Sequence, residues 1–384
     1  MVNFYSYSYS IPYCCLALGT LCMATIKTRF NHKLTERIFL FVIICFIGLR
    51  GFVNTDYLQY YQTFENLEPI NRLFYNYDWK NNYEFGFYIY TSIIKTIFPN
   101  YHFFVIINTI VDVAVLTWFF HRYSKLFYIS WLFFFLFNGL QIEFDLFRNA
   151  KAIMIFLLAI PYIQSRNVWK FTGMILLAST FHISAIVLYP MYFIGVTKLK
   201  KTVLVGLFIF VNIIFFMELF PTSFLIEKFS GIAVGKAADK LDTYINTTAG
   251  TYGVTFGYIE KSAMYLICYY FYDKLIRDNK SNLIFCNGFF IYYTLWYIFS
   301  DVSVFVQRIP VLYVFSYWVV SANIISLLKK KTRQYVYIFL ALFSILKIGT
   351  SFNTAVNKYD NLLTGIESYE KRARKLRGFL KRYY

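Results

Sequence analysis

The chain has 384 residues, of which 58% are hydrophobic and only 15% charged, and its mean hydropathy is +0.49. A soluble domain carries about a quarter charged residues, so composition excludes a soluble globular protein and indicates one integral, polytopic membrane domain. The formal net charge of +18 does not indicate nucleic acid, because the basic residues cluster in short loops between apolar segments, where the positive-inside rule accounts for them.

Apolar segments run at 9–26, 37–50, 84–98, 101–120, 126–142, 149–164, 171–197, 202–220, 258–272, 283–300, 309–328 and 334–350. A spanning helix needs about 20 residues, and several of these are short, so the expected fold is all-α with roughly ten to twelve transmembrane helices. The first run has no basic stretch before it and reads as a transmembrane helix rather than a cleavable signal. Residues 27–37 hold four basic residues and one acid, and Arg166 with Lys170, the three basic residues of 273–280, and Lys329, Lys330, Lys331 and Arg333 form similar clusters. These go to the cytoplasm. The stretch 50–84 holds three basic and five acidic residues, and 221–257 holds three of each. The outer loops are therefore 51–84 and 221–257, with the N-terminus on their side.

Two places resist a simple count. Arg122 and Lys125 reach the cytoplasm only if 84–98 does not fully span but dips in or lies along the outer face. Lys198, Lys200 and Lys201 also belong in the cytoplasm, yet 171–197 is too short for two crossings. Either this segment is broken or re-entrant with His182 near the break, or it is one tilted helix ending near Pro190 with a basic loop outside. The transmembrane domain covers 1–350. The tail 351–384, with eight basic and three acidic residues, reads as an interfacial amphipathic helix on anionic lipid, its side open. The cysteines Cys14, Cys15, Cys22, Cys45, Cys268 and Cys286 lie in apolar segments without metal-ligand spacing and read as small buried hydrophobes.

Ionisable groups next to hydrocarbon are expensive and mark function. Arg50, Asp56 and Tyr57, with Tyr60 just after, follow the second segment; Glu84 opens 84–98; Arg148 opens 149–164; His182 lies inside 171–197; Arg308 opens 309–328. By the topology above all gather at the outer side. Arginine keeps its charge and forks onto phosphate oxygens, so Arg50, Arg148 and Arg308, with Tyr57 and Tyr60, are candidate pyrophosphate and substrate ligands. His182, Asp56 and Glu84 are the candidate catalytic groups, as a base for a sugar hydroxyl. No Asp-X-Asp or His/Cys cluster occurs in the outer loops, so the expectation is no metal and no cofactor, with arginine supplying the positive charge. Each has a plainer alternative: arginines snorkelling at helix ends, Asp56 and Glu84 as helix caps, His182 bonded to a carbonyl. Asp112, deep in 101–120, is expected to hydrogen-bond a neighbouring helix or Asn108 on its own face. Lys95 marks the mouth of its segment.

In order, Arg50-Gly51 with Asp56 and Tyr60, Glu84-Phe85-Gly86-Phe87, Phe147-Arg148 with Ala152-Ile153, Phe181-His182-Ile183-Ser184-Ala185 and the late Arg308 resemble the EpsG-like family of bacterial Wzy-type polysaccharide polymerases. Two departures stand out: the acid at 84 lacks the proline that often follows it, and Lys151 replaces a small or polar residue. The resemblance implies a GT-C-like glycosyltransferase fold in the bacterial inner membrane, facing the periplasm or outer side. It implies transfer of a growing glycan from undecaprenyl pyrophosphate to a hydroxyl of the next lipid-linked repeat unit, as in O-antigen, capsule and exopolysaccharide synthesis. Expected partners are the lipid-linked oligosaccharide donor and acceptor, the bilayer and a chain-length regulator, with no nucleic acid. Two alternatives stay open: a flippase or transporter of lipid-linked oligosaccharide, and an O-antigen ligase of related fold.

Overall fold

The structure, a computed structural model, describes residues 4–25, 32–73, 83–219, 254–300 and 303–383. Most of the outer loop 221–257 lies outside the described residues. Among the described residues the fold is all-helical, with no β-strand. The α-helices are α1 (Ile11–Thr25), α2 (His32–Gly48), α3 (Tyr57–Asn66), α4 (Phe85–Ile97), α5 (Tyr101–Tyr123), α6 (Phe127–Leu136), α7 (Gly139–Asp145), α8 (Phe147–Gln164), α9 (Val168–Phe181), α10 (Met191–Ile194) and α11 (Lys201–Phe216). They continue with α12 (Phe256–Asp278), α13 (Asn282–Ile298), α14 (Ser303–Arg308), α15 (Val314–Ser326), α16 (Lys330–Ser351) and α17 (Tyr369–Tyr383).

Three stretches are long and apolar enough to cross a membrane, Tyr101–Tyr123, Phe305–Ser326 and Lys330–Ser351; the pair Phe127–Leu136 and Gly139–Asp145, bent by 60°, makes a fourth if counted as one span. The other helices of the expected ten to twelve crossings are shorter. At 1.5 Å per residue, the 13 residues of α4 rise about 20 Å, short of a bilayer core of about 30 Å. That agrees with a segment that does not fully cross. The bend between α6 and α7 comes at Asn138, whose φ of 60° is left-handed and cannot continue a helix. Segment 171–197 is interrupted: α9 stops at Phe181, His182 stands outside any helix, and a 3-10 turn follows at Ile183–Leu188. This is the broken form of the two readings, with His182 at the break.

The chain divides into two compact units, one of Met1–Ala159, Gly173–Ala185 and Ile325–Tyr384, the other of Ile160–Thr172 and Ile186–Ile324. The first unit has two distinct ends. At one lie the start of α2 and the end of α5, where Glu36 meets His121 at 2.7 Å. The start of α16, with Lys330 and Lys331, belongs to the same basic group by the run of the chain. At the opposite end Tyr13 of α1 stacks on Phe352 at 4.4 Å and donates to the Asn357 carbonyl at 2.8 Å, while Tyr359 stacks on Phe46 at 4.4 Å. The tail after α16 therefore returns to the ends of α1 and α2, next to residues 49–61. The side left open by sequence is that of the candidate residues, and the positive-inside rule does not predict it.

The second unit is built on α11, α12, α13 and α15. Two of its buried amides are satisfied locally: the Asn287 amide donates to the carbonyls of Ile194 and Thr197 at 2.7 and 2.8 Å, and Asn323 donates to Asn282 at 2.7 Å. Cys268 and Cys286 are buried here, as expected, but Cys15 and Cys22 of α1 are exposed. On a membrane helix such exposure meets lipid rather than water, so burial is not required of an apolar residue there.

Candidate active site at the break after α9

Glu84 organises the site. It occupies the N-cap position of α4, yet its side chain does not cap the helix. Oε2 instead meets Nη1 of Arg148 at 2.6 Å, and Oε1 lies 3.3 Å from Nδ1 of His182. Oε1 also accepts the backbone N–H of Ile183 at 3.2 Å, a donor freed because the helix stops at Phe181. The three side chains are 21%, 21% and 15% exposed for Glu84, Arg148 and His182. They are shielded enough for strong electrostatics and open enough for a ligand.

Sequence motifs explain the convergence. A Cβ at Gly86 would stand 2.2 Å from Thr180 Oγ1 and 2.9 Å from the Thr180 carbonyl oxygen. Glycine lets α4 press against the last turn of α9, and that contact brings Glu84 to His182. Ala152, Ala178 and Ala185 are fully buried in one cluster; as small side chains they let α8 and the break approach closely. Arg148 is held from its other side by Tyr83, whose ring centroid is 4.2 Å from the guanidinium, and the Tyr60 hydroxyl interacts with it as well. Tyr60 is set by α3, whose buried face is Tyr57, Tyr60 and Phe64, and it packs on Phe147 at 4.8 Å. Among the described residues Arg148 Nε is buried without a partner, a donor that a ligand oxygen would satisfy.

Burial alone would raise the Glu84 carboxyl, but the hydrogen bond from His182 and the charge of Arg148 outweigh it and hold it down at about 2. A carboxyl depressed on folding stabilises the protein above its ordinary range, and that contribution is lost as pH falls through the folded value. The excess stability of wild type over Glu84→Gln is therefore expected to be constant down to about pH 4.5 and to vanish between there and about pH 2. Thermal unfolding of both proteins across that range checks it; a difference that grows on acidification would contradict the assignment.

The other candidates are placed as follows. Asp56 begins α3, also without capping it through its side chain. Asp145 does that instead, its Oδ1 accepting the N–H groups of Thr55 and Asp56 at 3.0 Å each. The Asp56 carboxylate is close enough to Tyr60 and Tyr83 to raise both phenols electrostatically, behind the larger effect of burial. Arg50 is buried, with 3% exposure. It donates to the carbonyls of Ile47 and Glu143 at 2.5 Å each and lies over the Phe144 ring at 4.7 Å. Tyr57 faces the tail, edge-on to Tyr369 at 6.2 Å. Arg308 ends α14 in the second unit with an exposed side chain.

Three features go beyond the sequence reading. Asp112 bonds a neighbouring helix, as expected, but its partner is Lys151 rather than Asn108. Lys151 Nζ reaches both Asp112 oxygens at 2.7 Å and the Asn108 carbonyl at 3.1 Å. Lys151, a departure from the family pattern, is one turn from Arg148 and ties α8 to α5. Lys95 donates to the carbonyls of Phe64 and Glu65 at 2.7 and 2.8 Å, satisfying the C-terminal end of α3. The tyrosine on Arg148 is Tyr83, whose only sequence signal is its place beside Glu84.

The EpsG family model matches residues 33–363 of the chain. Neither a curated protein nor a solved structure matches it.

Proposed function

Because the chain belongs to the EpsG family, we propose that it is a membrane polysaccharide polymerase of the glycosyltransferase type. It moves a growing glycan from undecaprenyl pyrophosphate to a sugar hydroxyl of the next lipid-linked repeat unit, on the outer side of a bacterial inner membrane. The observation that carries this reading is one carboxylate, Glu84, joining an arginine and a histidine at 2.6 and 3.3 Å at the end of the first unit away from the basic loops. The same reading keeps a GT-C-like fold, with the shorter helices completing crossings alongside the long ones. Lipid-linked donor and acceptor, the surrounding bilayer and a chain-length regulator are its partners.

In this reading Arg148 faces the pyrophosphate. Neutralising that charge makes the pyrophosphate a good leaving group. Glu84 occupies His182 Nδ1, which leaves Nε2 to take the proton of the acceptor hydroxyl. The acceptor oxygen bonds to the anomeric carbon, the anomeric carbon–oxygen bond to pyrophosphate breaks, and the leaving group departs with the electron pair. Asp56, Tyr57 and Tyr60 orient the sugars. Arg50, fixed on two carbonyls, holds the 49–61 loop near the end of α7. No metal takes part; arginine supplies the positive charge.

Purified protein mixed with lipid-linked repeat units is expected to give a ladder of multimers. Product only on a second acceptor would make it a ligase, and absence of any new glycosidic bond would defeat both. Gly86→Ala is expected to lower the rate about 100-fold, since displacing reacting groups by 1 Å costs that much. Adding Thr180→Ala removes the nearer clash and is expected to restore part of it. An undiminished rate in Gly86→Ala would show that the contact of α4 with α9 does not set the site.

A further inference from the structure

The tail is built onto the candidate site's own loop. The Gly51 N–H donates to the Asp360 carbonyl at 3.0 Å, the Leu362 N–H to the Leu49 carbonyl at 2.8 Å, and the Asn54 N–H to the Val356 carbonyl at 2.9 Å. A Cβ at Gly51 would stand 2.2 Å from Asp360 Oδ1, so the glycine of the Arg50-Gly51 motif is what admits the tail. Tyr369 stacks on Tyr61 at 4.3 Å. The tail begins where the spanning helix α16 ends, and it meets the loop that packs on the start of the spanning helix α5 through Phe52 and Tyr101 at 5.9 Å. It therefore sits at a membrane face.

Its helix cannot bind that membrane by inserting an apolar face, because the face is already used. Ala373 and Leu376 are buried, and Leu376 with Phe379 lines a small enclosed space shared with Phe52 and Tyr57. Arg372 is buried too, paired with Asp360 at 3.2 Å and Glu367 at 3.4 Å, and Lys375 pairs with Glu367 at 2.6 Å. Left over on the opposite side are Lys371, Arg374 and Arg377, all exposed and three residues apart on one face. Arg374 and Arg377 have no carboxylate partner among the described residues. Leu363, 75% exposed, tips the turn that precedes the helix.

We propose that Lys371, Arg374 and Arg377 rest on the anionic phospholipid headgroups of the membrane face that carries the site, with Leu363 entering the interface. The partner is fixed by charge complementarity and by position. Two cations without a carboxylate partner among the described residues, Arg374 and Arg377, lie at a span end beside Lys371, which shares Glu367 at 3.5 Å; each is worth about 1 kcal/mol against an anionic bilayer surface, and a single leucine supplies little apolar area. The contact is electrostatic and salt-sensitive, and it clamps the loop that holds Asp56 and Tyr60.

Amide hydrogen exchange of the full-length protein in nanodiscs tests this. With phosphatidylglycerol in the disc, exchange in 369–383 is expected to slow roughly tenfold relative to phosphatidylcholine alone, and the slowing to disappear at high salt. The triple variant Lys371→Gln, Arg374→Gln and Arg377→Gln should exchange alike in both discs while keeping the wild-type melting temperature. Equal exchange of the wild type in both discs would overturn the proposal, as would slowing that survives in the variant. Slowing in phosphatidylcholine discs only on adding a polyprenyl pyrophosphate would also overturn it, making the stripe a substrate contact. None of these readouts depends on polymerase activity.

Discussion

Replacing His182 by alanine is expected to lower the polymerisation rate by about 100- to 10,000-fold, the range of a lost general base, without unfolding the protein. His182 stands outside both flanking helices, so replacing its side chain breaks neither of them. The loss should fall on kcat rather than KM, because the pyrophosphate is held by other residues. Glu84→Gln should cost nearly as much, since it removes the carboxylate that fixes both the ring and the guanidinium. The double variant should be scarcely worse than either single one, as expected of groups that act as a unit. Single-turnover rates on a defined lipid-linked repeat unit would measure this. A wild-type rate in His182→Ala would rule out the base role.

Replacing Lys151 by methionine is expected to be the most destabilising single change near the site. Asp112 and Lys151 are 1% and 5% exposed. Removing the lysine leaves a buried carboxylate without its cation, which costs about 3–5 kcal/mol. Adding Asp112→Leu should recover most of that, because replacing a whole buried pair with apolar groups is close to neutral or favourable. Thermal unfolding in detergent of the two single variants and the double one checks it. If Lys151→Met melts with the wild type, the pair does not hold α8 against α5. A rate that stays low in the stable double variant would show that the pair also positions Arg148, one turn away on α8.

The sequence made the charged residues of the candidate site more legible than the architecture. Glu84, Arg148 and His182 were visible because a charge beside an apolar run is costly and the chain carries few of them. The break at His182 was one of two readings left open, raised because the lysines after it sit awkwardly with an ordinary crossing. The close contacts were not. Gly86 shows itself as a contact glycine only once Thr180 is opposite it, and Ala152 and Ala185 only once they meet. Asp112 and Lys151 lie 39 residues apart, and no helical periodicity pairs them. The tail's side stayed open because loop charge predicts sidedness only for segments free to choose a side, whereas this one is tied to residues 49–61 by backbone hydrogen bonds. Arg50 likewise carries the charge of a phosphate ligand, yet its guanidinium is taken up by carbonyls.

The central claim is that Arg148 and His182, joined by Glu84, form the reacting centre. A structure of the full chain with a polyprenyl pyrophosphate donor and an acceptor unit bound tests it most directly. The predicted result puts a pyrophosphate oxygen about 3 Å from the Arg148 guanidinium and an acceptor hydroxyl about 3 Å from His182 Nε2. A pyrophosphate bound elsewhere, with the contacts of Glu84 to Arg148 and His182 undisturbed, would contradict it.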